Sequence, residues 1–91
     1  MTQPTDRDQE IFSMVQAFID VANRLKDEGH HPSLVNSALM LASANYATYL
    51  AAGNQGYLKE GGIRKVAEAY RHNLELFQRI KQAELEADGN G

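Results

Sequence analysis

Three histidines, His30, His31 and His72, are the side chains of this sequence best equipped for metal or proton chemistry. Imidazole holds zinc when three or four ligands converge, and it exchanges a proton near neutral pH. The spacing offers no such convergence. His30 and His31 are adjacent, just before Pro32, and His72 stands alone far along the chain. Asp20 and Asp27 could share a helix face but have no partner set, and no HExxH motif joins histidine to carboxylate. No metal site is expected. Cysteine is absent, which removes thiolate nucleophiles, thiolate metal ligands and disulfides, and fits a reducing, cytoplasmic setting. No serine lies in a GxSxG elbow, and neither Gly53-Asn54-Gln55-Gly56 nor Gly61-Gly62 matches a phosphate or dinucleotide fingerprint. The expectation is a protein that is not an enzyme and carries no cofactor.

The amides and phenols have more to offer. Asn45 falls within the apolar face of a helical segment, Asn73 at the edge of another, and Asn23 at the margin of a third. A buried amide without a partner costs about 1–3 kcal/mol, so such groups must be hydrogen-bonded wherever they are covered. One reading is polar contacts that fix helix register. The other is a small-ligand or regulatory pocket between helices, lined by Asn23, Asn45, Tyr46, Tyr49, Tyr70 and Asn73.

Helical periodicity positions these residues. Ile11, Val15, Phe18, Ile19, Ala22 and Leu25 recur at helical spacing, predicting a first helix over about 6–28, with Thr5 or Asp6 as its cap. Gly29-His30-His31-Pro32 stops it, because glycine suits a left-handed C-cap and proline cannot continue a helix. Ser33, or less conventionally His31, then starts a second helix that covers 34–52. Ile63, Val66, Ala67, Tyr70, Leu74, Phe77 and Ile80 define a third over about 63–86, with room for an earlier start. Its outer face alternates in sign through Arg64, Glu68, Arg71, Glu75 and Arg79, a spacing that suits ion pairs within the helix. No alternating strand pattern appears. The chain reads as all-α: a flexible lead-in over 1–8, one helical domain over 9–86 and a disordered tail over 87–91. Short connections make the default an up-down-up three-helix bundle, and so small a domain gains from homo-oligomerisation.

The charge distribution qualifies that picture. Between residues 29 and 58 there is no Asp, Glu, Lys or Arg, although the sequence carries nine basic and twelve acidic residues elsewhere. A surface helix normally keeps a charged face in water, so the second helix is expected to be covered on most sides. Leu34, Val35, Leu39, Tyr46, Tyr49 and Leu50 form its main face and are expected to look into the bundle. Met40, Ala44, Ala47 and Ala51, flanked by Ser43, form a small-residue back that three helices leave uncovered. Depletion of charge is typical of interface centres, so Met40, Ser43, Ala44, Ala47 and Ala51 are the expected contacts with another copy or another helical protein.

A net charge of −3 argues against nucleic acid as a partner. The polar, acidic start is no signal peptide, and Asn36 and Asn45 would be costly in a bilayer, so no membrane association is expected.

Taken together, Gln9-Glu10, the run from Ala17 through Phe18-Ile19-Asp20-Val21-Ala22-Asn23, and Asn45-Tyr46-Ala47-Thr48-Tyr49 resemble the bacterial family called domain of unknown function 3144. The Phe18 to Asn23 stretch is similar to that family's FI(D/E)LAN segment, and the likeness extends over about 8–80. At Asn45 and Ala47 the family carries Arg and Asn, so no shared chemical role is carried onto these positions. The resemblance implies a small bacterial helical protein and no particular activity.

Overall fold

A computed structural model describes residues 6–89 of the chain. They form three helices, α1 (Asp6–Asp27), α2 (Pro32–Ala52) and α3 (Glu60–Gly89), with no strand among the described residues. Asp6 and Asp8 in the first turn of α1, and Arg24 and Lys26 in its last, complement the helix dipole. Thr5, one of the two expected caps, lies outside the described residues.

The end of α1 follows from Gly29. Its φ of +107° is a conformation that residues with a Cβ rarely adopt. The Gly29 amide donates to the Lys26 carbonyl at 3.0 Å, and the His30 amide donates to the Leu25 carbonyl at 3.2 Å. This pair of bonds is a Schellman motif, which satisfies carbonyls the helix would otherwise leave open.

The start of α2 is settled by His31. Its Nδ1 accepts from the Ser33 amide at 3.1 Å and lies 2.8 Å from Ser33 Oγ. Its carbonyl accepts from the amides of Leu34 and Val35 at 2.9 and 3.1 Å. Pro32 takes the first helical position, where a missing N–H costs nothing. Of the two expected starting residues, the less conventional one is therefore the cap. At the other end, Gly53 adopts a φ of +77° and donates to the Tyr49 carbonyl at 2.8 Å. Gly56 is equally constrained, since a Cβ there would run into the Ala52 carbonyl oxygen.

Helix α3 begins at Glu60, three residues before Ile63, and the Ile63 amide donates to the Lys59 carbonyl at 2.9 Å. Gly61 and Gly62 thus sit in the first turn, and Gly62 gives room to the Leu58 side chain. The helix continues to Gly89, so Ala87, Asp88 and Gly89 close it rather than belong to a tail; Asn90 and Gly91 lie outside the described residues. Exposed ion pairs run along it: Glu60–Arg64 at 3.8 Å, Arg71–Glu75 at 3.4 Å and Lys81–Glu84 at 3.7 Å. Each is worth only a few tenths of a kcal/mol.

The chain divides into two compact units, Met1–Asn45 and Tyr46–Gly91, with the boundary inside the continuous helix α2. In the first, Ala22 and Leu25 of α1 and Val35 of α2 are half-buried, all near the turn between the helices. In the second, the half-buried residues are Ala47, Thr48, Ala52, Leu58, Gly62 and Val66 around the α2–α3 connection, with Ile80 farther along α3. No described residue is fully buried. Within each unit the apolar stripes are the expected ones, and among the described residues they are at most half-buried.

The histidine cap yields a test. Replacing His31 by Ala is expected to cost about 1 kcal/mol, while His31→Asn, which restores a side-chain acceptor, is expected to retain most of that stability. Thermal melts at one fixed protein concentration would measure both, and no loss in either variant would assign the cap to Pro32 and the backbone alone.

Candidate interaction surface

Most of the apolar residues that periodicity placed on one side of each helix are exposed, while Ala22, Leu25, Val35, Val66 and Ile80 are half-buried. In α1, Ile11, Phe12, Met14, Val15, Phe18, Ile19 and Val21 are exposed, Phe18 to 63%. In α3 the same holds for Ile63, Tyr70, Leu74 and Phe77. Both helices keep their charges on the opposite side, where Arg24 pairs with Glu28 at 3.8 Å and Gln16 donates to Asp20 at 2.9 Å. These are helices with one dry side and one wet side, and the dry side is bare.

Helix α2 has no wet side. Its first turn has no acidic residue and its last no basic one, and apolar side chains point in every direction. Leu34, Leu41, Tyr46 and Leu50 are the most exposed, Leu50 reaching 78%. Exposure on α2 mixes the two expected faces. Met40, Ser43, Ala44 and Ala51 of the back are exposed as expected, but Ala47 is half-buried together with Thr48 and Ala52. On the main face, Leu34, Leu39, Tyr46, Tyr49 and Leu50 are exposed and only Val35 is half-buried. Near the α2–α3 connection, then, the covered side of α2 is closer to the alanines than to the tyrosines.

The polar candidates separate between the units. Asn23 and Asn45 belong to the first, and Tyr46, Tyr49, Tyr70 and Asn73 to the second; all six are exposed. Tyr46 and Tyr49 form the one ring contact among the described residues, with centroids 6.1 Å apart and planes inclined by 49°. Their three-residue spacing places them side by side on the helix, which was visible in the sequence. A shallow depression along α3 is lined by Gln78, Lys81, Gln82, Leu85 and Glu86, all from that single helix, so it encloses nothing.

The histidines have separate fates. His31 is engaged as a helix cap, and His30 and His72 are exposed. Among the described residues no three His, Asp or Glu side chains come together as metal ligands. None of the described helices is long and apolar enough to cross a membrane. What the arrangement can do is present dry surface, with aromatic anchors on α2 and α3.

A family model described as "Protein of unknown function (DUF3144)" matches residues 11–86. That stretch runs from the first apolar residue of the α1 stripe through α2 and almost to the end of α3. No curated protein and no solved structure matches the chain.

Proposed function

The chain belongs to the DUF3144 family, whose function is unknown, and we propose that it is a non-enzymatic helical module that self-associates or docks another helical protein through the charge-free surface of α2. One observation carries this reading. Among the described residues none is fully buried, while large apolar side chains stand exposed along all three helices. Monomeric proteins rarely leave contiguous apolar patches beyond a few hundred Å² uncovered, and larger ones mark interaction sites. The up-down-up bundle expected from the short connections belongs to the same proposal, as the form each chain takes inside the assembly.

The composition of the surface supports association over catalysis. Tyrosine and methionine are enriched at interfaces and charged residues depleted, and α2 has Tyr46, Tyr49 and Met40 with no charge. Tyrosine is also among the residues that anchor binding hot spots.

Sedimentation equilibrium tests the self-association arm. The chain is expected to sediment as an oligomer with a melting temperature that rises with protein concentration, because assembly stabilises only the native form. A cooperative, concentration-independent melt of a monomer would reject that arm. Leu50→Lys gives a second test. At a position exposed in the free chain, a surface substitution normally costs less than about 0.5 kcal/mol. If the side chain is covered in the assembly, Leu50→Lys should weaken association at least tenfold while Gln78→Lys does not.

A further inference from the structure

The acceptor that caps α2 belongs to the one kind of side chain that ordinarily gains and loses a proton near neutral pH. Pro32 has no N–H, and the amides of Leu34 and Val35 both donate to the His31 carbonyl. The Ser33 amide is therefore the first-turn donor left to a side chain, and it donates to His31 Nδ1 at 3.1 Å. A ring nitrogen accepts only with its lone pair free, so this bond requires the ring's proton to be on Nε2. In the imidazolium both nitrogens are donors. Nδ1 then keeps a partner in Ser33 Oγ, 2.8 Å away, to which it can donate, but the Ser33 amide loses its acceptor.

Charge acts in the same direction. A helix N-terminus is the positive end of the helix dipole, so a cation there is unfavourable unless a carboxylate in the first turn offsets it. Helix α1 has Asp6 and Asp8 in its first turn and α3 has Glu60, but α2 has no acidic residue there. Within the same unit, the ionisable groups closest in the chain are His30 and, around the end of α1, Arg24, Lys26, Asp27 and Glu28. Arg24 is paired with Glu28 at 3.8 Å, and the hydrogen bonds of the His31 ring among the described residues go to Ser33. His30 has the opposite sense, because it follows the C-terminus of α1, where positive charge is favourable.

The turn that this cap holds is also where the first unit is best covered. Its half-buried residues are Ala22, Leu25 and Val35, and Val35 belongs to the helical turn that His31 anchors. We infer that His31 is a pH-sensitive latch on α2: the neutral ring closes the first turn of the helix, and proton uptake opens it from Pro32 to Val35 and loosens the connection to α1. Because the closed turn excludes a proton from Nδ1, acidification favours the open one. The inference does not depend on the self-association proposed above, since every group in it belongs to one turn of one chain.

Thermal melts of the wild-type chain and of His31→Asn, at one fixed protein concentration, are compared at about pH 8 and about pH 5.5, across the ordinary range of histidine titration. Asparagine accepts through an amide oxygen that does not titrate, and His30 and His72 are present in both proteins. Between the two conditions the wild type is expected to lose about 4–8 °C relative to His31→Asn, the effect of one cap on a domain of this size. A difference between the two proteins that is the same at both pH values, or that moves in favour of the wild type in acid, would overturn the inference. Should His31→Asn fail to fold, His31→Asp supplies the same acceptor and reads the same difference. Amide exchange of Ser33, Leu34 and Val35, compared between the proteins at each pH so that the chemical exchange rate cancels, locates the opening. Faster exchange of these amides in the wild type at the acid pH alone is expected, and an acid effect spread evenly over all three helices would overturn the latch.

Discussion

A helix without a charged face has no strongly hydrated side, and α2 is such a helix. Over residues 29–58 the sequence supplies no Asp, Glu, Lys or Arg, so α2 meets solvent only through neutral polar groups such as Asn36, Ser37, Ser43 and Asn45. Burying a leucine or a similar side chain is worth about 1.5–3 kcal/mol relative to leaving it exposed. Leu34, Leu39, Leu41 and Leu50 stand exposed along one helix, each still able to gain that energy from a neighbour. Helices α1 and α3 each have one dry side and one charged side.

Local signals fix where the helices start and stop. Gly29 and Gly53 take left-handed conformations that end α1 and α2, and His31 caps the helix that Pro32 opens. These devices act within a few residues of sequence and do not depend on what later covers the helices. Ion pairs along α1 and α3 are likewise closed within each helix. The helices are thus defined locally, while large apolar side chains along all three stay exposed among the described residues.

That separation explains what could be read from the residues. The three helices, the glycine stop after α1, the stripes of α1 and α3 and the family were all legible, because periodicity, caps and the Phe18 to Asn23 segment are local features. The start of α3 was less so. Gly61 and Gly62 lower helix propensity, but in a first turn the helix tolerates them, and Glu60 forms the true beginning. The covered side of α2 is less legible for a different reason. A helix that is apolar all round carries no periodic contrast, so spacing could not rank the alanine back against the tyrosine line. Near the α2–α3 connection the half-buried positions of α2 are Ala47, Thr48 and Ala52, whereas Tyr46 and Leu50 are exposed.

Amide hydrogen exchange on α2, followed by mass spectrometry across a dilution series, bears most directly on whether neighbouring chains supply the missing cover. Cooperative opening of a helix is slowed by whatever packs against it, so protection reports the cover itself. The account predicts that peptides containing Leu39 to Tyr49 are the slowest to exchange at high concentration and lose that protection as the protein is diluted. Protection of the same peptides that is unchanged on dilution would contradict it, because the cover would then come from within a single chain.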